Sequence, residues 1–167
     1  MTLFFTADEH YLHKNIIKYC SRPFESVDDM TENLIKNHNS VVGKGDVTVH
    51  LGDFCFGNQE QAEEIIKRLN GNHIFIKGCH DKWLRKSAPA FYKISVNDTL
   101  IVGCHYPLEE WFASFHGSIH VHGHQHKIVN RIKNRLNVGA DLHKFFPINA
   151  EEVIELVKIN NETIGDH

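Results

Sequence analysis

The first half of the chain alternates short apolar segments with segments of helical periodicity, and this alternation constrains the fold more than any other feature. Residues 3–7, 47–51 and 74–76 are short and apolar, as expected for buried strands. Between them, apolar residues recur on one helical face over 26–42, where Ser26 and Asp29 approximate a capping box, and over about 58–69. The order strand, helix, strand, helix, strand predicts α/β layering.

The second half has a different pattern, which is dominated by short strands. Residues 91–96 and 99–104 flank Asn97-Asp98, which is typical of a hairpin with a two-residue turn. Further strands are expected at 119–122, 127–132 and 136–138, and a last helix at about 150–158. Mixed sheets with outer helices therefore fit the chain better than a purely doubly wound sheet.

Length and composition limit the class of protein. The 167 residues fit a single domain spanning 1–167, and 41% hydrophobic with 23% charged residues exclude a disordered or collagen-like chain. No apolar run approaches the roughly 18 residues of a membrane span, and the first residues lack the features of a signal peptide. A net charge of −3 excludes a generally basic nucleic-acid-binding surface, although not a local basic site.

The cysteine pattern indicates a reducing compartment. The cysteines are widely spaced and form no CxxC pair, which argues against a zinc ribbon or a thioredoxin motif. Without a secretory signal a disulfide framework is not expected, so we predict a cytoplasmic protein with reduced thiols.

Histidine is unusually frequent, with 14 residues in the chain, of which six lie between positions 105 and 126. Histidine commonly serves as a metal ligand or a proton carrier. Aspartate and histidine also follow the predicted strands directly, in the segments Asp8-Glu9-His10, Gly52-Asp53, Gly78-Cys79-His80-Asp81, His105 and His122-Gly123-His124-Gln125-His126. Ligands of open α/β sheets bind beyond the carboxyl ends of the strands, so these five loops are expected to converge.

Each of these segments alone has a structural interpretation. The first two are compatible with ordinary turns, and His105 is compatible with a loop cap. The alternating histidines from His120 to His126 would fit one face of a strand, but Gly123 interrupts that pattern. The combination of all five loops, each with Asp or His, instead favours two metal sites.

In this order the segments resemble the signature of the calcineurin-like metallophosphoesterases, which is D-x-H, GD, GNH[DE], H and GHxH. The resemblance spans residues 8–126, and the segments His13–Ile17, Arg22-Pro23-Phe24 and Asn137-Val138-Gly139 resemble a small single-domain branch of the family. It implies an α/β (α+β) fold, a four-layer αββα sandwich of two mixed sheets flanked by helices. It also implies a phosphoester hydrolase with two divalent metal ions.

The resemblance assigns roles to individual residues. It implies that the first ion is held by Asp8, His10, Asp53 and His126. It implies that the second is held by Asp53, Cys79, His105 and His124, with Asp53 as the bridge. As catalytic residues, His80 would sit opposite the metals and either stabilise charge or protonate the leaving oxygen, and Asp81 would orient its ring. Mixed nitrogen and oxygen ligands suit manganese, the expected cofactor, and also iron, zinc, nickel or cobalt.

Cys79 departs from the family pattern, which has asparagine at this position. An amide oxygen is a hard neutral ligand, whereas a thiol must ionise and is then soft. Three interpretations stay open: an engineered change that weakens the second site, a natural ligand that favours zinc, or a site that uses the first ion alone.

Other residues near these motifs have alternative interpretations. His13 and Arg22 are candidates for substrate binding, or else support the loop structurally. Basic side chains at 82, 85, 86, 127, 131, 133 and 135 would attract anionic substrates or, weakly, nucleic acid, although such residues usually form a solvated surface. The aromatic residues Trp111, Phe112 and Phe115 would suit base stacking, but a place in the core is the default expectation.

Together the residues predict a metal-dependent phosphoesterase that acts on a small, phosphorylated or nucleotide-like substrate. Phosphodiesters and phosphomonoesters both remain open, and so does the oligomeric state. The alternative is a metal-bound scaffold that binds a partner protein without catalysis. The intact histidine set favours the enzyme, whereas Cys79 is the feature that favours the scaffold.

Overall fold

The computed structural model describes residues 1–127 and 132–164. Over these residues the chain forms two mixed four-stranded sheets and four α-helices, which confirms the predicted mixed α/β fold. Most of the strand predicted at 127–132 lies outside the described residues, as does Arg131. None of the described helices combines the length and the apolar character that a membrane crossing needs.

The first sheet is built from the alternating first half of the chain. Strands β1 (Leu3–Thr6), β2 (Val47–Leu51) and β3 (Asn72–Ile76) are parallel to one another, with β2 in the middle of the three. A short strand from the end of the chain, Ile148–Asn149, pairs antiparallel with β1 and was not predicted. The carboxyl ends of three consecutive strands therefore lie at one edge of this sheet.

The second sheet contains the predicted hairpin. Strand β4 (Phe91–Val96) pairs antiparallel with β5 (Thr99–Cys104) through Asn97 and Asp98, both with positive φ as a tight hairpin turn requires. Strands β6 (Ile119–His122) and β7 (Arg135–Asn137) continue the sheet in parallel with β5. Here too the carboxyl ends of neighbouring parallel strands lie at a common edge.

The helices have identifiable start signals. The Ser26 hydroxyl accepts the Asp29 amide at the start of α2 (Val27–Val41), and Asn58 forms a capping box with Gln61 before α3 (Gln59–Ile66). Helix α3 ends earlier than predicted, whereas the last helix α4 extends over Ala150–Ile164. Helix α1 (Lys14–Cys20) was not predicted, and its first turn has no side-chain cap.

Two apolar clusters position these elements. The first lies between the sheets, where residues such as Phe5, Leu51, Ile101 and Val121 meet, and Val153 of α4 joins it. The second packs α1, α2 and α3 around residues that follow the first sheet's strands. The expectation that Phe112 and Phe115 belong to the core is wrong, because their side chains are 63% and 88% exposed.

Candidate metal centre

Five loops meet where the parallel strands of both sheets end. They follow β1, β2 and β3 of the first sheet and β5 and β6 of the second. Backbone hydrogen bonds join the first two loops, from the Asp8 amide to Gly52 O at 3.0 Å and from the His10 amide to Asp53 O at 3.0 Å. The structure thus brings together every metal ligand that the sequence resemblance implied.

The first group of potential ligands contains Asp8, His10 and His126, whose donor atoms lie within 4.8 Å of one another. Asp8 and His10 are buried, with 0% and 2% exposure. Among the described residues, Asp8 Oδ1 and His10 Nε2 are buried polar atoms without a hydrogen-bond partner. An unpaired buried polar atom costs free energy, and a cation bound between these atoms would remove that cost.

The second group surrounds the carboxylate of Asp53. The Cys79 thiol donates to Asp53 Oδ2 at 3.3 Å, and His105 Nε2 lies 3.4 Å from the same oxygen. His124 Nδ1 is 3.2 Å from His105 Nε2 and 3.9 Å from Cys79 Sγ. His10 Nε2, from the first group, is 3.7 Å from Asp53 Oδ2, so Asp53 lies between the two groups.

The backbone at several of the potential metal ligands is held in the left-handed region. Asp8, His10, Asp53 and His124 have φ of 58°, 54°, 56° and 70°. This conformation is uncommon for residues other than glycine, and it costs free energy unless the surrounding structure imposes it. Four such residues in one site indicate that the loops are shaped for the position of their side chains.

Close packing at two glycines holds the ligand carboxylates in place. A Cβ at Gly78 would lie 2.3 Å from Asp53 Oδ1, and a Cβ at Gly123 would lie 2.6 Å from Asp8 Oδ2. A larger residue at either position would displace a carboxylate. The loops therefore approach one another closely enough to require glycine.

Burial and neighbouring charges shift the ionisation of the two carboxylates in opposite directions. Burial raises the pKa of Asp8 to about 7, against the opposing influence of His105 and His126. Burial also opposes ionisation of Asp53. However, the His105 ring and the His80 amide, which donates to Asp53 Oδ1 at 2.8 Å, hold its pKa well below the usual range. Asp53 is therefore ready to bind cations at neutral pH, and a cation beside Asp8 would favour its charged form.

The remaining potential ligands differ in how easily they reach the protonation state that binds a metal ion. Burial lowers the pKa of His10, so its ring is neutral, as a metal ligand must be. Burial and the Asp53 charge raise the pKa of the Cys79 thiol to about 12. A metal ion must therefore displace a proton to use Cys79, at a cost that an amide oxygen would not have.

Asp81 connects two of the loops. Its Oδ2 accepts the amides of Asp53 at 2.7 Å and Gly78 at 2.8 Å, and its Oδ1 accepts the Phe54 amide at 2.9 Å. The hydrogen bonds of Asp81 thus go to backbone amides and the Trp83 indole, rather than to the ring of His80. These contacts indicate that Asp81 positions Asp53. They do not include the ring of His80, so they give no support to the expectation that Asp81 orients that ring.

Arg22 lies behind the first loop and not among the residues that line the cavity, which favours its structural alternative over substrate binding. Its side chain is buried and donates to Asp8 O at 2.7 Å, to Glu9 O at 2.8 Å and to both oxygens of Asp141 at 2.8 Å. The guanidinium therefore supports the first loop from behind. Asp141, which the sequence interpretation missed, also accepts from His126 Nδ1 at 2.7 Å and fixes that ring.

His13 and His80 line a cavity of about 650 Å³ above the ligands. His13 Nδ1 is 3.1 Å from His10 Nδ1, so the candidate substrate contact lies beside a ligand. The His80 side chain is 44% exposed, and its Nε2 is 4.0 Å from Asp53 Oδ2. Of the basic residues singled out by sequence, Lys127 lines this cavity. The aromatic residues Trp111, Phe112 and Phe115 lie outside it.

The chemistry of the donor set fits divalent metal ions. Two carboxylates, four imidazoles and a thiol converge, and two of their buried atoms have no partner within the described protein. Imidazole combined with carboxylate suits first-row transition metals, and the thiol adds preference for softer ions such as zinc. The arrangement can therefore hold divalent cations at the base of an open cavity.

Comparison with solved structures places the fold among known proteins. A protein of unknown function from Aquifex aeolicus superposes with a TM-score of 0.75 and 22% identity, covering 93% of this chain and 98% of that one. Vps29 of Entamoeba histolytica, solved in complex with Zn²⁺, superposes with a TM-score of 0.51 and 16% identity, covering 83% of this chain and 74% of that one. Both similarities establish a shared fold.

Sequence comparison identifies a relative. No protein-family model matches the chain. An uncharacterized protein of Methanocaldococcus jannaschii is 33% identical over 165 residues, which covers 93% of this chain and 91% of that protein. This identity extends over nearly the full length of both chains, and the chain therefore belongs to the family of that archaeal protein.

Proposed function

We propose that the protein is a metal-dependent phosphoester hydrolase with two divalent ions. The observation that carries the proposal is the position of Asp53 between two adjoining groups of potential ligands at the base of a cavity of about 650 Å³. A carboxylate in that position suits a bridge between two ions, which is the usual arrangement in metal-dependent hydrolysis of phosphoesters. Vps29, which has a similar fold, was solved with Zn²⁺, and this supports the metal-binding part of the proposal.

The residues divide between two ions that would share Asp53. Asp8, His10 and His126 would complete the first site, and His105, His124 and Cys79 the second. Divalent ions supply Lewis acidity, which activates water and neutralises charge on phosphoryl oxygens. Manganese or zinc are the first ions to test, because oxygen and nitrogen donors suit the former and the thiol suits the latter.

His80 is the residue that would move a proton. It is half-exposed on the cavity, and its backbone amide donates to Asp53 Oδ1 at 2.8 Å, which fixes the start of the side chain beside the ligands. Its Nε2, 4.0 Å from Asp53 Oδ2, can reach a phosphoester bound over the ligands. A protonated His80 would donate to the leaving oxygen, a contribution of roughly 10²–10⁴ in rate.

Turnover by the metal-loaded protein tests this function against the scaffold alternative. The protein is stripped with a chelator and reloaded with manganese, zinc, iron, nickel or cobalt, and hydrolysis of bis(p-nitrophenyl) phosphate and p-nitrophenyl phosphate is measured. We expect activity that depends on metal and is abolished in Asp53→Asn. The matched control is Asp98→Asn in the exposed hairpin turn, which should keep wild-type turnover.

The scaffold alternative predicts a different outcome. If the protein bound two equivalents of metal yet hydrolysed neither ester with any of these ions, the enzyme proposal would fail. The partner-binding role would then be the better explanation. Activity that persists in Asp53→Asn would instead show that the hydrolysis occurs at another site.

A further inference from the structure

One side of the cavity above the ligands is apolar and aromatic. Helix α1 and the segment after β2 supply it, and we call it the aromatic wall; its members are His13, Ile16, Tyr19, Cys20 and Phe56. The other lining residues are His80, Lys127 and five of the potential metal ligands. The cavity therefore joins a polar base, which suits a phosphoryl group, to a wall that suits an apolar group.

Phe56 has a defined orientation in this wall. Its ring stacks on His13 with centroids 4.2 Å apart and planes inclined by 10°. The phenylalanine is nevertheless 47% exposed, so His13 covers only part of the ring. Tyr19, with its ring 6.4 Å from that of His13, is 66% exposed on the same wall. Flat rings held at fixed angles and open to solvent can accept a further flat ring by stacking.

His80 connects the wall with the metal ligands. Its ring centroid lies 5.6 Å from that of Phe56 and 5.6 Å from that of His10. A group that stacks on Phe56 therefore lies on the same side of the bound phosphoryl group as His80. Because His80 is the proton donor of the proposed function, this is the side from which the leaving group departs.

We propose that the aromatic wall binds a flat ring in the leaving group of the substrate. The substrate class is then aryl or nucleoside phosphoesters, and Phe56 determines specificity for the ring. The proposal rests on the proposed function for the statement that the ring belongs to the leaving group. Binding of the ring itself can be measured without any turnover. Stacking of an aromatic ring on a protein side chain typically changes affinity by about tenfold or more.

Non-hydrolysable phosphonates test the proposal directly. The zinc-loaded and manganese-loaded protein is titrated calorimetrically with phenylphosphonate, cyclohexylphosphonate and methylphosphonate. We expect phenylphosphonate to bind about tenfold more tightly than methylphosphonate, and more tightly than the cyclohexyl compound, which is apolar but not flat. Equal affinity for the phenyl and methyl compounds, or tighter binding of the cyclohexyl compound, would overturn the proposal.

Substitution of the wall identifies the residue that binds the ring. Phe56→Leu retains apolar bulk but removes the flat ring, so phenylphosphonate affinity should fall about tenfold and methylphosphonate affinity much less. Phe115→Leu is the matched control, because Phe115 is 88% exposed and lies outside the cavity. A loss of phenyl preference in Phe115→Leu, or its retention in Phe56→Leu, would contradict the assignment.

The nature of the ring is a separate arm of the same experiment. The isostere of adenosine 5′-phosphate with a methylene group in place of the bridging oxygen is compared with the corresponding ribose phosphonate. Preference for the adenosine compound that depends on Phe56 would identify nucleoside esters as the substrate class, whereas preference for phenylphosphonate alone would identify simple aryl esters. If the ring binds but no ester is hydrolysed, ring binding by the aromatic wall is supported and the proposed function fails. If esters are hydrolysed without any preference for a ring, the proposed function is supported and ring binding by the aromatic wall is contradicted.

Discussion

The carboxylate of Asp141 accepts a hydrogen bond from Nδ1 of His126 at 2.7 Å, and the same carboxylate accepts two more from the buried Arg22. Because Nδ1 of His126 is engaged in this way, Nε2 is the nitrogen that remains for a metal ion. Burial opposes ionisation of Asp141, but the hydrogen bonds with His126 and with the Arg22 guanidinium hold its pKa below the usual range, so the carboxylate is charged. Such a carboxylate fixes the ring of a metal ligand and makes it more basic.

Replacement of Asp141 by asparagine should weaken the first metal site by about 10- to 100-fold, because the His126 ring loses its charged partner. Competition with a chromogenic chelator measures this affinity. Asp98→Asn in the exposed turn is the control and should leave metal binding unchanged. The melting temperature of the metal-free variant must also be compared, because Asp141 pairs with the buried Arg22. Unchanged metal affinity would show that Asp141 does not act through His126.

Replacement of His80 by alanine should lower turnover by roughly 10²–10⁴ while the protein keeps its full metal content. The reason is that the proposed function assigns His80 to proton donation on the cavity and not to either ion, although its ring lies close enough to Asp53 and Cys79 to reach a metal ion. Metal analysis after gel filtration, together with kcat, separates the two roles. His116→Ala, at an exposed position outside the cavity, should leave both quantities at the wild-type level. Loss of one metal equivalent in His80→Ala would make His80 a ligand.

Replacement of Cys79 by asparagine should strengthen manganese binding at the second site and raise turnover with that ion. The amide oxygen is a hard neutral donor, whereas the thiol must lose a proton and then prefers softer ions. Zinc affinity should change less, because sulfur suits zinc. Calorimetric titration of both forms with each metal provides the comparison. Equal manganese affinity and equal turnover in the two forms would mean that residue 79 does not bind the metal.

The free energy of unfolding should fall as the pH falls below about 6.5, in part because of His38 on α2. Burial lowers the pKa of His38 to about 4, with a further contribution from His50, while its bond to Asn70 O opposes the shift. The unfolded chain binds the proton near pH 6.5 and the folded chain does not. His38 therefore contributes its full stabilisation above pH 6.5 and loses about 3 kcal/mol of it by pH 4.

Urea denaturation of metal-free protein between pH 7.5 and 4.5 measures this dependence. His38→Gln should reduce the slope of unfolding free energy against pH, although His50 and His73, whose pKa values burial also lowers, keep part of it. Lys36→Gln at an exposed position on the same helix is the matched control and should retain the wild-type slope. An unchanged slope in His38→Gln would contradict the assignment.

The strands and their following loops could be predicted because both carry strong local signals. Short apolar runs identify β1 and β2. Because parallel strands end at the same edge of a sheet, Asp8 and Asp53, which follow them, must lie at a common edge. The hairpin turn at Asn97 and Asp98 was predicted for the same reason, since both residues tolerate positive φ. These inferences depend on neighbours in sequence.

The remaining errors concern contacts between residues distant in sequence. Asp141 lies on the short 3-10 turn Ala140–Leu142, where no periodicity distinguishes it, and its partner Arg22 is 119 positions away. For Arg22 the sequence left both substrate binding and structural support open, because neither its burial nor its bonds to Asp141 and to the backbone of the first loop can be read from neighbouring residues. Helix α1 is only seven residues long and has no side-chain cap, so neither its periodicity nor its start could be recognised.

The donors around Asp53 come from loops that begin at Asp8 and end at His126, with Asp141 behind them. Every one of these loops follows a different strand, and both sheets contribute. With the ligands assigned in the proposed function, a growing chain on the ribosome could not complete the first site until His126 had been synthesised, long after Asp8 and His10. Under the proposed function, metal uptake would then report that the five loops have come together, and a chain truncated before His126 would lack one donor of the first site.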